Sequence, residues 1–472
     1  MTEGPSSSFD RVQPALLGGR KKKLPEGATL LTPLMRCGAG ILAFVVAGVS
    51  VNVAAAQDKK QADSAAEVYG PEIPEPAASG SVAPTGIPKA LAQAVARALQ
   101  SSPLLMASQA ASKSAEADLR TAKWQRFPNL TAELLSATGG STIADTDGLA
   151  ANLALEQPVW TGGAIGSSIE EARFNAGAAA SSVGVTTQTL MLDVIQSYYD
   201  VARFDNRIKV LEEGLARYAE LSASIERRVL QQVSPAVDLT LAQSRIAQFN
   251  ADLAASKEQR DIAYLQLVEL VGEDVALSYD DISDQSVSLP PEDLAVAEAN
   301  ACSPTIDERT NRLGAAQSAY DNAEAQLFPR VLLQLSQNEL TGARAAVVLR
   351  AQTGNGLSKL SAIDGAKADV AEATAQLAQA ERQVRTLLRR QYASFRAGER
   401  GAAVSASAMQ ASDDLLASYQ RQFVAGRRSW LDLSNAVSEV ISAKLSVQDN
   451  QNAADASAAL ILVLTCRWQP QG

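Results

Sequence analysis

The fold is decided by residues 164–232, which read AIGSSIEEARFNAGAAASSVGVTTQTLMLDVIQSYYDVARFDNRIKVLEEGLARYAELSASIERRVLQQ. These 69 residues contain no proline, and their apolar side chains recur at steps of three and four. This pattern predicts a long helix whose seam packs along a partner helix. The seam residues are Leu190, Val194, Tyr198, Val201, Phe204, Ile208, Leu211, Leu215, Tyr218, Ile225 and Val229. At about 1.5 Å per residue the helix would be roughly 100 Å long, which predicts a long and thin molecule.

A second run of the same kind extends from Leu357 to about Val424. Its seam residues are Leu388, Tyr392, Phe395, Ala402, Met409, Leu416, Tyr419 and Phe423. After each long run a short break is followed by a returning helix, predicted at Ala236–Val271 and from Trp430 to about Thr465. The breaks place both helix tips at the end of the rods remote from the predicted strands.

Composition excludes several function classes. The formal net charge is −10, and no clustered Lys/Arg face is evident in the body, so nucleic acid is disfavoured as a partner. The chain has no histidine, which removes Ser-His-Asp and Cys-His catalysis and any His-ligated metal. It also has no phosphate-binding glycine loop and no cysteine cluster. We therefore predict no enzyme activity, no catalytic residues, no cofactor and no metal site.

The three cysteines are Cys37, Cys302 and Cys466, with no CxxC pair. Cys302 and Cys466 are near the ends of their helical units, where they could meet in the fold. Because sequence cannot supply the geometry that a disulfide requires, no bond is predicted.

The N-terminus has the features of an export signal. Basic residues precede an uncharged stretch, Gly38 to Val53, and small residues follow up to Ala56. These features predict a secretory signal peptide over 1–56. The alternative is a membrane anchor, for which sixteen residues are short against the ~20 that a spanning helix needs. Residues 57–87 are rich in Pro, Ala, Glu, Ser and Gly and are expected to form a flexible linker.

The remaining chain contains an internal repeat. A Ser-Pro pair is followed 25 residues later by a Phe-Pro pair in each half, and further matches recur at a slightly shorter offset. The matched positions are Ser102-Pro103 with Ser303-Pro304, Phe127-Pro128 with Phe328-Pro329, Tyr198 with Tyr392, and Asp238-Leu239 with Asp432-Leu433. Identical spacing of two motif pairs indicates duplication. The repeats are predicted at 88–272 and 303–472, separated by an acidic equatorial linker at 273–302.

Each repeat is predicted to contain a β-hairpin between its first helix and its long helix. The strands are expected at about Asn129–Thr138, Leu149–Trp160, Arg330–Asn338 and Ala343–Gln352, and apolar and polar side chains alternate along them. Such alternation over about ten residues is typical of membrane barrel strands, although ordinary half-buried hairpins also show it. Four strands cannot close a barrel, and an open sheet edge cannot be placed in lipid. A barrel would therefore have to be shared between copies of the chain.

These features together resemble one family, the TolC-like outer-membrane efflux and secretion channels, over roughly Pro88 to Trp468. The resemblance rests on the two Ser-Pro…Phe-Pro segments, on residues 157–163 (QPVWTGG) and on residues 423–433 (FVAGRRSWLDL). It implies a homotrimer in outer-membrane lipid, with one 12-strand β-barrel and a periplasmic α-helical barrel closed at its tips. It also implies docking to a periplasmic adaptor and to an inner-membrane ABC transporter or proton-driven pump.

The same resemblance implies roles for the tip residues. Arg428, Asp432 and Asp238 match the arginine and acidic residues that line the family's constriction, whereas Asn435 stands where a second acidic ring is usual. The residues expected to contact the adaptor are Gln232, Val233, Ser234, Pro235, Gly426, Arg427, Ser429 and Trp430. From the residues alone, Asp238 and Asp432 are first-turn acids favoured by the helix dipole, so both interpretations stay open.

The function predicted from the sequence is a passive duct of mainly α structure with a small membrane β-barrel. Type I secretion of protein with an ABC transporter is the first hypothesis, because the tip reads Gly-Arg-Arg-Ser-Trp and no lipid-anchor cysteine follows the signal. Small-molecule efflux is the second hypothesis. A periplasmic coiled-coil scaffold without a pore is the alternative from a different class.

Overall fold

The computed structural model describes residue 84 and residues 86–137, 148–272, 287–338, 342–352 and 354–469, all of which belong to the unit Pro76–Gly472. The predicted signal peptide, most of the linker at 57–87 and the first part of the equatorial linker lie outside these residues. The helices are α1 Lys89–Ser101, α2 Pro103–Trp124, α3 Ala164–Leu230, α4 Ala236–Val271, α5 Glu292–Cys302, α6 Pro304–Ala325, α7 Ser358–Val424 and α8 Trp430–Leu464. The strands are β1 Asn129–Ala137, β2 Gly148–Trp160, β3 Arg330–Asn338 and β4 Gly342–Arg350.

The predicted repeat is present in the structure. Helices α2 and α6 have 22 residues each, and helices α3 and α7 have 67 residues each. The element order helix, helix, strand, strand, long helix, shorter helix occurs twice. The predicted bounds are correct to within two residues, and the differences lie at element ends. Helix α3 ends at Leu230 instead of Gln232, and Pro235 caps α4 from outside instead of lying in its first turn.

The long helices bury the predicted seams. Every predicted seam residue of α3 is buried or half-buried, and Val194, Tyr198, Val201 and Ile225 are fully enclosed. Helix α3 packs against α1, α2, α4, α6 and α8, whereas α7 packs against α5, α6 and α8. The outer face of α7 therefore remains largely uncovered in the single chain, with Val404 70% exposed. None of the described helices is both long enough and apolar enough to cross a bilayer.

The four strands form one antiparallel sheet in the order β1-β2-β3-β4. Partners across the ladders share a face, and Leu130, Leu155 and Leu335 are aligned on one face of the sheet. Glu156 and Gln334 are paired on the opposite face, where Gln334 Nε2 donates to Glu156 Oε2 at 2.6 Å. Both hairpins thus place apolar residues on the same face and most polar residues on the other.

A disulfide that the sequence did not predict joins the end of α5 to the end of α8. Cys302, at the end of α5, is bonded to Cys466, just beyond the end of α8, with their Cα atoms 6.4 Å apart. Two hydrogen bonds of 2.9 and 2.7 Å from Arg467 to Glu298 reinforce the junction. The bond forms because the tertiary fold brings together two helix ends that are 164 residues apart in the chain.

The packing of α7 on α8 depends on Gly398. A Cβ atom added there would lie 2.8 Å from both the Ala454 nitrogen and the Asn450 oxygen, which are backbone atoms of α8. We expect Gly398→Ala to destabilise the fold by about 2 kcal/mol, because the helices must separate. Gly365→Ala is the matched control, since its added Cβ has no neighbour within 4 Å and alanine favours a helix by about 1 kcal/mol. Urea denaturation of both variants tests the difference, and equal midpoints would contradict it.

Candidate functional site at the helix tips

The ends of the two long helices have the same backbone structure. At the end of α3, Val233 N donates to Arg228 O at 2.8 Å and Gln232 N to Val229 O at 3.0 Å. At the end of α7, Arg427 and Gly426 make the corresponding bonds, also at 2.8 and 3.0 Å. These are Schellman motifs, in which the residue after the cap adopts a left-handed conformation. Gly426 does so at φ 69°, and its repeat counterpart Gln232 does so at φ 58°.

The first tip is therefore strained at a position where the second has glycine. Left-handed backbone costs a non-glycine residue about 1 kcal/mol. We expect Gln232→Gly to stabilise the last turn of α3 by about that amount. Gln231→Gly serves as the control, because Gln231 has φ −81° and gains nothing from glycine. Hydrogen exchange of the last α3 turn measures the effect, and faster exchange in Gln232→Gly would contradict the expectation.

The start of α8 holds Asp432, predicted for the constriction, against Ser429, predicted for docking. The Ser429 backbone N–H and hydroxyl both donate to Asp432 Oδ2, and the Ser429 hydroxyl oxygen accepts from the Asp432 N–H. This capping box satisfies the first turn of the helix. The Ser429 hydrogen bonds, with a smaller contribution from Arg428, hold the pKa of the Asp432 carboxyl below its usual range. Asp432 therefore remains a carboxylate at neutral pH.

Arg428 lies against its own hairpin. Its Nη1 is 3.7 Å from Asp432 Oδ2, its Nε donates to Gln422 Oε1 at 3.2 Å, and its guanidinium carbon is 4.3 Å from the Tyr419 ring centroid. Within the described residues no ion pair joins Arg428 to Asp238. Asp238 is a half-buried first-turn residue of α4. Within the described residues the tip thus joins Arg428 to Asp432 and forms no such ion pair with Asp238.

The other residues predicted for the constriction and for adaptor docking differ in exposure. Asn435 is exposed one turn beyond Asp432, and Gly426 and Arg427 are also exposed. Trp430 differs, because its ring is only 3% exposed and packs among the apolar residues of α3, α7 and α8. A buried indole cannot contact a partner, so Trp430 is a core residue of the tip.

Arg228 is a tip residue that sequence reasoning missed. Its Nη1 donates to the Phe423 carbonyl at 3.3 Å, and its guanidinium carbon lies 4.5 Å from the Phe423 ring centroid. This contact joins the last turn of α3 to the last turn of α7. An arginine near a helix C-terminus that can reach unsatisfied carbonyls is a usable sequence signal, but the carbonyl here belongs to another helix.

Apolar side chains cover the outside of both tips. Leu230 and its repeat counterpart Val424 are 79% and 82% exposed, and Val237 and its counterpart Leu431 are 67% and 48% exposed. Exposed apolar groups at equivalent positions of two hairpins form a surface suited to a partner. In the part of the chain that the structure describes, no group of His, Cys, Asp or Glu residues could hold a metal ion.

Comparison with known proteins gives a family-model match over part of the chain and a shared fold. Residues 94–273 match the model of the family described as outer membrane efflux protein, whereas no curated protein sequence matches the chain significantly. Among solved structures, CusC has a TM-score of 0.72 at 17% identity, covering 82% of this chain and 95% of its own. VceC, an outer membrane protein of Vibrio cholerae, has a TM-score of 0.69 at 18% identity, covering 79% and 96%. A membrane protein of Pseudomonas aeruginosa has a TM-score of 0.71 at 18% identity, covering 83% and 98%. These structural likenesses show a shared fold.

Proposed function

We propose that this chain, whose residues 94–273 match the outer membrane efflux protein family, is the outer-membrane exit duct of a tripartite export system. Three copies would supply the twelve strands of one barrel and the helical strands of a periplasmic tunnel. The periplasmic adaptor and the inner-membrane ABC transporter or proton-driven pump are the proposed partners.

The sheet is the observation that carries this proposal. Leu130, Leu134, Val347 and Leu349 are 62–76% exposed on a single face, an arrangement that suits lipid. The edge strands β1 and β4 have unpaired outer ladders within the chain, and lipid tolerates such edges only when they pair with further strands. Since about eight strands is the practical minimum for a barrel, a four-stranded sheet requires other copies.

Aromatic side chains support the membrane placement. Trp124, Phe127, Trp160 and Phe328 are 49–67% exposed and lie where the strands join the helices. Aromatic girdles mark both lipid–water interfaces of membrane barrels. The junction would therefore lie at the periplasmic surface of the outer membrane. The Cys302–Cys466 disulfide agrees with a compartment outside the cytoplasm, to which the signal peptide proposed at 1–56 would direct the chain.

The cargo follows from the inner-membrane partner. Type I protein secretion is the first candidate, because the tip has the sequence Gly-Arg-Arg-Ser-Trp. Small-molecule efflux is the second candidate, and the description of the matched family favours it. Crosslinking from Arg427 and Val233, which are both exposed at the tips, would recover the adaptor and identify the class of pump. The apolar pairs Leu230/Val424 and Val237/Leu431 are the proposed docking contacts.

Conductance in a planar lipid bilayer tests the duct and its constriction together. The mature protein is expected to give discrete cation-preferring channels, because three Asp432 carboxylates would converge on the axis. The double substitution Arg428→Ala, Asp432→Ala should give larger or less selective channels. If the substitutions leave the channels unchanged, the proposed duct stands and the proposed constriction is wrong. Folded, membrane-inserted protein without conductance would favour the scaffold alternative.

A further inference from the structure

A cleft of ≈ 620 Å³ lies far along the chain from the tips, where the start of α6 and the end of α8 meet the middle of α3 and α7. Its charged lining residues are Arg382 and Arg390, and no lining residue is acidic. The other lining residues carry mostly amide, hydroxyl or aliphatic side chains. In a chain with a net charge of −10, this lining makes a locally cationic site.

The two arginines have no counter-ion within the described residues. Arg382 Nη2 donates to the amide oxygen of Gln379 at 3.3 Å, and neither Arg382 nor Arg390 forms an ion pair there. By contrast, the neighbouring Arg389 and Arg396 both pair with Glu292. Six arginines and two glutamates lie between Glu381 and Arg400, a local basic cluster that the sequence analysis did not recognise.

The N-terminus of α6 reaches the cleft through Ser303 and Thr305, and its first turn also carries Asp307. Ser303 precedes this helix, is only 2% exposed and lines the cleft with Thr305. Its side chain makes no capping hydrogen bond, whereas the Ser102 hydroxyl caps the equivalent helix by accepting from Leu105 N at 3.3 Å. Pro304 has no N–H, and the Ile306 and Asp307 N–H groups donate to the Ser303 carbonyl at 3.0 and 3.1 Å, so this helix start has few N–H groups left for an anion. The positive charge of the cleft therefore comes from Arg382 and Arg390.

The first repeat has uncharged residues where the second repeat has these arginines. The repeat counterparts of Arg382 and Arg390 in α3 are Gln188 and Gln196, each 194 residues earlier. Gln188 lines the same cleft from the opposite side. Arg382 and Arg390 are both exposed on α7, so packing within the chain does not bury them. The two positive charges are thus an addition of the second repeat.

We propose that this cleft binds an extended acidic peptide, with one carboxylate on Arg382 and a second on Arg390. Eight residues of helix separate the arginines by about 12 Å, which matches three to four residues of extended chain at about 3.3–3.6 Å each. Planar guanidinium groups pair with carboxylates through two parallel hydrogen bonds. Gln379, Gln383 and Thr386 supply donors and acceptors for the peptide backbone between these anchors. This binding does not depend on conduction through the duct.

The test is the fluorescence anisotropy of fluorescein-labelled hexaglutamate titrated with the purified folded protein in detergent at low salt. Arg382→Gln combined with Arg390→Gln is expected to weaken binding at least about ten-fold, because both charged hydrogen bonds are lost. Arg385→Gln is the matched control, since it removes the same charge from the same helix outside the cleft and should change the Kd less than about two-fold. Unlabelled hexaglutamine should not compete.

Three results would overturn the proposal. Equal loss of binding in Arg385→Gln and in the double variant would indicate a diffuse charge effect. Competition by inorganic tripolyphosphate as strong as by unlabelled hexaglutamate would indicate a generic polyanion site. If the protein binds no peptide and the double variant changes its dissociation into protomers, the cleft is a contact between copies of the chain. Since the assay needs only folded protein, verified by circular dichroism, failure of the proposed duct function leaves its result intact.

Discussion

Breaking the Cys302–Cys466 disulfide is expected to lower the free energy of unfolding by about 5 kcal/mol, because the bond closes a loop whose ends are 164 residues apart. The cross-link restricts the unfolded chain most strongly when the closed loop is long. For a body of this size the loss corresponds to a fall in Tm of about 5 °C. Thermal circular dichroism of the parent protein with and without reductant, and of Cys302→Ser, measures it.

Two controls separate the bond from other effects. Reductant should not change the Tm of Cys302→Ser, and it should not change the Tm of the double variant Cys302→Ser, Cys466→Ser. Cys466 has a left-handed backbone at φ 56°, and its repeat counterpart is Gly272, at φ 89°. Cys466→Gly in the Cys302→Ser background should therefore be about 1 kcal/mol more stable than Cys466→Ser. Identical Tm values for oxidised and reduced parent protein would contradict the expected role of the disulfide.

Replacing Arg228 is expected to raise the open probability of the proposed duct about 30-fold, and this expectation rests on the proposed function. Arg228→Ala removes both the hydrogen bond to the Phe423 carbonyl and the contact with its ring. Together these contacts are worth about 2 kcal/mol, and each 1.4 kcal/mol is about a factor of ten in an equilibrium. Because they tie the end of α3 to the end of α7, their loss frees the two hairpins to separate. Single-channel recording in a planar bilayer measures the open probability.

Arg227→Ala is the matched control for this experiment. Arg227 is the adjacent arginine and is exposed, so its replacement removes the same charge without breaking the link between the helices. Its channels should behave like those of the parent. If the open probability rises equally in both variants, the cause is the loss of surface charge, and Arg228 does not restrain the hairpins.

The agreement between sequence and structure is closest where a signal is local. The helices beginning at Ala164 and Ala236 start where predicted, because proline, glycine and apolar periodicity act over a few residues along the chain. The strand Arg330–Asn338 has the predicted bounds for the same reason, although its alternation is weak and Leu332 is buried on the otherwise polar face. Pairing with β2 determines which side chains of this strand point to each face of the sheet. The weak alternation of the strand itself is therefore sufficient.

The tips show the limit of this reasoning. The family resemblance predicted Arg428 and Asp432 as constriction residues. The structure places their side chains 3.7 Å apart within one hairpin. The sequence did not identify Arg228, because the partner carbonyl of Phe423 lies 195 residues away. The resemblance also placed Trp430 among the adaptor-docking residues, whereas its side chain is buried because α3, α7 and α8 converge on it.

The sequence by itself determined the repeat, the two long helices and the two hairpins, since each depends on periodicity and on turn residues within a short window. Only the tertiary structure decided the Cys302–Cys466 bond, the Arg228–Phe423 contact, the burial of Trp430 and the cationic cleft at Arg382 and Arg390. Each of these features joins residues from helices distant in the chain. Their distances depend on how the helices pack, which no local pattern specifies.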